Sequence, residues 1–287
     1  MRRLLSSQWV AMGSNPTLNS TRKSDFPRSV AAAIVAVLSG FALSARGAII
    51  TYAPPALIGA QVTYPSVSES SNTNTLPLYG APTVSGNNLV FSNLNFAAVS
   101  TNGSPALDFV DGQINFTLQS DPGSFLQILD LSEFGDFNVS TTPANPAAMN
   151  FVQAYENPVL ITILAINGVP VTPVNNSSTV MSITDGGTFE NPPSSSPISV
   201  SGSWTGTAIA NLANIFNSNQ ITEIAVSFDN QLAAESQTGG IADIAKKGFD
   251  IIPTTTGNPG VPEPSVASLM LFAIGVGLKR RQNRHVA

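Results

Sequence analysis

The 287-residue chain contains no cysteine and a single histidine, His285, three residues from the end. Without cysteine there is no disulfide framework and no thiolate ligand or nucleophile. Without a central histidine there is no Ser-His-Asp triad, and no zinc or iron site built on imidazole or thiolate. The third absence is positive charge. No Lys or Arg occurs between Arg46 and Lys246, an interval that holds fourteen acidic residues. The formal net charge of −5 therefore hides a central region with sixteen acids up to Pro264 and only Lys246 and Lys247 as cations. Such a surface lacks the cations that neutralise phosphates, so nucleic acid is excluded as a partner. Its acidity favours solubility rather than any one ligand.

Short apolar stretches recur through a background of Ser, Thr, Asn, Gly and Pro. That spacing predicts an all-β body, a β-sandwich or jelly-roll-like domain over residues 49–253. Ile114, Phe116 and Leu118 alternate with polar residues, as do Ile224, Val226 and Phe228, which marks half-buried strands. Further strands are expected at 88–91, 125–131, 137–140, 149–154, 159–166, 169–174, 180–184, 198–204 and 242–252. A turn at Gly135-Asp136 should separate the third of these from the second. Asn167-Gly168 predicts a tight hairpin, with Pro170 and Pro173 holding its return strand at a sheet edge. One short helix is expected over 207–216, where Ile209, Leu212, Ala213 and Phe216 share a helical face. Residues 254–260 read as a linker.

The two ends differ from the middle. Residues 30–43 form an apolar run preceded by Arg22, Lys23 and Arg28 and followed by small residues, the pattern of a secretory signal within residues 1–48. At the other end, Val261-Pro262-Glu263-Pro264 precedes the apolar residues 265–278 and then Lys279-Arg280-Arg281. The two prolines resist helix formation from within. The apolar segment would span about 21 Å as a helix, short of the roughly 30 Å hydrocarbon core, and Gly275 and Gly277 weaken it. The basic cluster should stay on the cytoplasmic side.

This tail, residues 261–287, resembles the PEP-CTERM sorting domain. The resemblance implies an exported protein of an exopolysaccharide-producing bacterium, handled by exosortase, a membrane transpeptidase-like enzyme. It implies recognition through Pro262, Glu263 and Pro264 and loss of the segment bearing Lys279, Arg280 and Arg281. It carries no catalysis. The expected location is the cell surface or extracellular matrix, with transient membrane contact through the C-terminal helix.

The central region leaves few chemical options. Asp108, Asp111 and Gly112 form an acidic turn in this reading, and Asp130, Glu133 and Asp136 a second cluster at a strand end. Either would admit calcium, the one cofactor left open, although the EF-hand pattern is absent. No catalytic residue is assigned, and the expected role is non-enzymatic. The alternatives are a carbohydrate-binding module of the polysaccharide matrix, with Trp204, Tyr79 and Tyr155 as stacking candidates, and a glycoside hydrolase built on a carboxylate pair. Six Asn-x-Ser/Thr triplets occur, at Asn19, Asn102, Asn115, Asn138, Asn175 and Asn176. In sequence this rich in Asn and Ser they arise by chance.

Overall fold

A computed structural model describes residues 48–257. The expected signal segment, the apolar C-terminal helix and the sorting residues Pro262, Glu263, Pro264, Lys279, Arg280 and Arg281 lie outside the described residues. Among the described residues no helix is long and apolar enough to cross a membrane.

The strands are β1 (Ala48–Ala53), β2 (Leu57–Ile58), β3 (Val62–Ser71), β4 (Thr83–Ser85), β5 (Asn88–Phe91), β6 (Phe96–Thr101), β7 (Leu107–Ser120) and β8 (Ser124–Thr141). They continue as β9 (Phe151–Glu156), β10 (Val159–Ile166), β11 (Val169–Thr179), β12 (Ser182–Ile183), β13 (Thr188–Glu190), β14 (Ser199–Asn211), β15 (Ile221–Glu235) and β16 (Gly240–Gly257). One short helix, α1 (Leu212–Phe216), separates β14 from β15. The architecture is all-β and sandwich-like, as the periodicity predicts. The first sheet runs β1-β3-β7-β15-β10-β11, with β2 on β3, β9 on β15 and β13 on β9. The second runs β12-β14-β8-β16-β5-β4, with β6 on β16. All pairings are antiparallel.

Each sheet has a long strand with a divided edge. β15 pairs along its length with β7, while its other edge is shared between β10 up to Ser227 and β9 from Asn230. β16 pairs along its length with β8, and its other edge is shared between β6 up to Lys246 and β5 from Phe249. The inward faces of both sheets build one apolar core. Phe228 of β15 stacks on Phe249 of β16 across the layers, with centroids 5.4 Å apart. Ile114, Phe116, Leu118, Ile224, Val226 and Phe228 are all buried, as their alternation requires.

The hairpin at Asn167-Gly168 joins β10 to β11, with Ile166 opposite Val169 and both turn residues at positive φ. That geometry suits Asn and Gly, which tolerate the left-handed region. β11 lies at the end of its sheet, where Pro170 and Pro173 are tolerated.

Three expectations fail for physical reasons. No turn interrupts β8 at Gly135-Asp136; the strand runs straight through. Gly135 is there for close packing, since a Cβ would lie 2.0 Å from the Ala245 carbonyl oxygen and 2.4 Å from Trp204 Nε1. The helix expected over 207–216 begins only at Leu212. Residues 207–211 continue β14, with Ala208 and Ala210 inward and Ile209 62% exposed. Thirteen paired residues on β8 outweigh a four-residue apolar helical face. Finally, residues 254–257, expected as the start of a linker, belong to β16 and pair with β8.

Candidate functional site

The divided edges of β15 and β16 meet at a buried polar cluster in an otherwise apolar core. On β16 the inward positions are Ala242, Ile244 and Lys246, then Phe249 and Ile251. The change of parity is a β-bulge between Lys246 and Gly248. An extra residue at a bulge re-aims the side chains that follow. Here it brings Lys246 and Phe249 onto the same face and turns Lys247 to solvent.

Lys246 is fully buried and donates from Nζ to Glu133 Oε2 on the neighbouring strand β8. Glu156, the last residue of β9 in the opposite sheet, brings Oε1 to 3.7 Å from the same nitrogen. Four aromatic rings enclose the ammonium, with centroids at 5.2 Å (Phe96), 5.6 Å (Phe249), 5.7 Å (Tyr79) and 6.0 Å (Phe228). Such ring faces attract a cation. Glu133 Oε1 and Glu156 Oε2 are buried without hydrogen-bond partners.

Burial drives the Glu156 carboxyl well above the usual carboxylate range, and the Glu133 charge adds to this, while Lys246 opposes it. The cluster sets two carboxyls against one amine in a low dielectric, where the close pairing and the ring faces offset part of the cost of burial.

Tyr79 closes the cage from the segment between β3 and β4. Its position comes from Glu69, a buried residue of β3 whose two carboxylate oxygens accept the backbone N–H groups of Leu78 (3.2 Å) and Tyr79 (2.7 Å). The Tyr79 hydroxyl donates to the Gly112 carbonyl at 3.1 Å and accepts from Asn230 Nδ2 at 2.6 Å. Burial raises this phenol well above its ordinary value.

A second acidic group lies on the outward face of the first sheet. Asp229 on β15 is raised to about 7, by burial first and then by the Asp111 charge on β7. Asn157 Nδ2 donates to Asp229 Oδ2 at 2.6 Å and Gln231 Nε2 to Asp111 Oδ1 at 3.1 Å. Asp108, Asp111 and Gly112 are thus not a turn; all three belong to strand β7. Asp108 instead receives the Val99 N–H at 2.7 Å. The other expected cluster also separates. Glu133 points into the core, whereas Asp130 and Asp136 occupy the opposite face of β8. Among the described residues no three acidic or histidine side chains converge to hold a metal ion.

Trp204 and Tyr79, two of the three sugar-stacking candidates, are fully buried and cannot reach a ligand; Tyr155 is half-buried. A shallow groove of about 400 Å³ does open on the first sheet, where Ser66, Asn115, Thr117, Thr162 and Ser227 share the lining with apolar residues such as Leu160 and Ala225. Sequence reading missed Lys246 and Glu156 as site residues. The available signal was a lysine in step with Ala242 and Ile244, in a region with almost no cations.

No family model matches the chain, and no curated protein matches it. Among solved structures, the VP2 subviral particle of infectious bursal disease virus shares 14% identity over 73% of this chain and 58% of that one, with a TM-score of 0.12. The structure of the Gt strain of infectious bursal disease virus shares 13% identity over 72% of this chain and 56% of that one, with a TM-score of 0.11. The chain spans a little over half the length of these capsid chains, and likeness at this level assigns neither fold nor role.

Proposed function

We propose that the chain is an exported, non-enzymatic protein of the cell surface or extracellular matrix, delivered by a PEP-CTERM-like tail. The observation that carries this reading is the order of the tail: Pro262-Glu263-Pro264, a short apolar run, then Lys279-Arg280-Arg281. An exosortase-type membrane enzyme is the partner, reading the Pro-Glu-Pro segment while the apolar run rests in the membrane. The jelly-roll-like description of the body belongs to the same proposal. It is supported by a path that alternates between sheets, from β7 to β8 and through β14, β15 and β16.

The non-catalytic role is supported by the closed interior. The carboxyls that cluster there, Glu133 and Glu156, are sealed from solvent, so a glycan has no route to them. Intact-mass measurement on protein from the native cell surface tests the delivery. The expected species lacks the basic end. A surface-held species that still carries Arg280 and Arg281 overturns the reading.

The alternative, a module that binds matrix polysaccharide, now rests on the groove of the first sheet rather than on Trp204. Polysaccharide retention lost in an Asn115→Ala, Thr117→Ala double variant of unchanged stability supports it; retention unchanged in that variant removes it.

A further inference from the structure

We propose that Lys246 and Glu133 condense to an intramolecular amide, an isopeptide cross-link between β16 and β8, with Glu156 as the acid–base group that carries the protons. Four observations lead there. The amine contacts an oxygen one bond from the carboxyl carbon it would attack, because Nζ donates directly to Glu133 Oε2, and both side chains are completely buried. Two reactants held at contact distance behave as if at very high concentration. A second carboxyl, Glu156, stands 3.7 Å from the same nitrogen and comes from the other sheet, where an amide bond across β8 and β16 would not disturb it. Burial raises its carboxyl, which favours the protonated form that a general acid needs. The site is walled by Tyr79, Phe96, Phe228 and Phe249, which shield the reacting groups from bulk water. Lastly, the starting state holds an ion pair whose two side chains are completely buried. Condensation removes two charges and one carboxylate oxygen from the core, so the product suits its surroundings better than the reactants do.

The chemistry closes without a co-reactant. The ammonium of Lys246 passes one proton to the Glu133 carboxylate, leaving a neutral amine and a carboxylic acid. The nitrogen lone pair attacks Glu133 Cδ while Glu156 protonates the carbonyl oxygen. The nitrogen then returns a proton to Glu156. Glu156 next protonates one hydroxyl, the C–O bond breaks, and water leaves with that electron pair. The proton of the remaining hydroxyl goes back to Glu156 as the amide carbonyl forms. One C–N bond is made, one C–O bond is broken, and Glu156 ends as it began. The event happens once per molecule, so it is self-modification rather than turnover. In a chain with no cysteine it would supply the covalent brace that disulfides provide elsewhere.

The test uses the full chain, produced where no sorting enzyme is present, so its outcome is independent of the delivery reading. After denaturation and chymotryptic digestion, mass spectrometry should find the Glu133 peptide joined to the Lys246 peptide, lighter than their sum by one water. Glu156→Gln should leave the two peptides separate while circular dichroism still shows a folded β-protein. Wild-type protein that is folded yet yields both peptides free at full mass overturns the proposal, whatever the variant does. A link from Lys246 to Glu156 instead overturns the assignment of Glu133 as acyl donor. Cross-linking of Glu156→Gln at the wild-type rate overturns the role of Glu156.

Discussion

The protein meets the cost of crowded acids in two different ways. Inside, Glu133 and Glu156 share one buried cation within a ring of aromatic side chains. On the outward face of the first sheet, burial and the Asp111 charge raise Asp229, and two amide side chains donate to the pair. The inner group depends on a specific partner and should be insensitive to solvent. The outer group depends on pH. The difference teaches that in a region almost without Lys or Arg, the carboxyls of the core are set against a cation, whereas those on the sheet face rest on amide donors.

Removing the cation should have the largest effect. Lys246→Ala leaves Glu133 and Glu156 buried and uncompensated, and should cost about 3–5 kcal/mol in chemical denaturation. Replacing Lys246, Glu133 and Glu156 together by apolar residues sharpens the comparison. For a plain ion pair that change should be neutral or stabilising by about 1–4 kcal/mol. If the amide has formed, the same variant loses a cross-link spanning 113 residues, which loop-closure entropy places at about 4–5 kcal/mol.

A purely apolar site gives a reference. Phe116 is 2% exposed between the sheets, and Phe116→Ala should cost about 3–5 kcal/mol. A loss under about 1 kcal/mol would contradict the observed burial.

The outer pair predicts a pH dependence of definite sign. The Asp229 carboxyl, ordinarily near 3.8, is raised to about 7 in the fold. Between these values the folded state holds a proton that the unfolded state has released. Stability is therefore greatest below the lower value and falls as pH rises through the upper one. Glu156 contributes in the same sense, so the informative quantity is a difference. Asp229→Asn should gain on the wild type as pH rises from about 4 to about 7 and hold that gain above it. A difference that is flat with pH would mean that Asp229 is ionised throughout. The smallest effect is expected at Ile209, which is solvent-facing on β14 rather than part of a helical core face. Ile209→Ser should change stability by about 0.5 kcal/mol or less.

Much of the scaffold was readable beforehand. The strands at 88–91 and 159–166 coincide with β5 and β10, and the Asn167-Gly168 hairpin stands where its turn chemistry demands. These are local signals, carried by alternation and by residues that tolerate positive φ. The errors share one origin. Gly135 looked like a turn residue because its partners, Trp204 and the Ala245 carbonyl, lie far away in the chain. Residues 207–211 looked helical because the thirteen-residue pairing with β8 is equally remote.

From its sequence alone the chain set its β-class, its acidity, the lack of sulfur and imidazole chemistry, and the turn at Asn167-Gly168, because composition and short-range backbone preference are local quantities. Only the tertiary structure decided that Trp204 and Tyr79 are core, that Asp130 and Asp136 face away from Glu133, and that Lys246 lies between two glutamates from different sheets. Those outcomes depend on a bulge and on pairings between residues far apart in the chain, such as Trp204 with Gly135 and Lys246 with Gly135, and no local pattern encodes such distances.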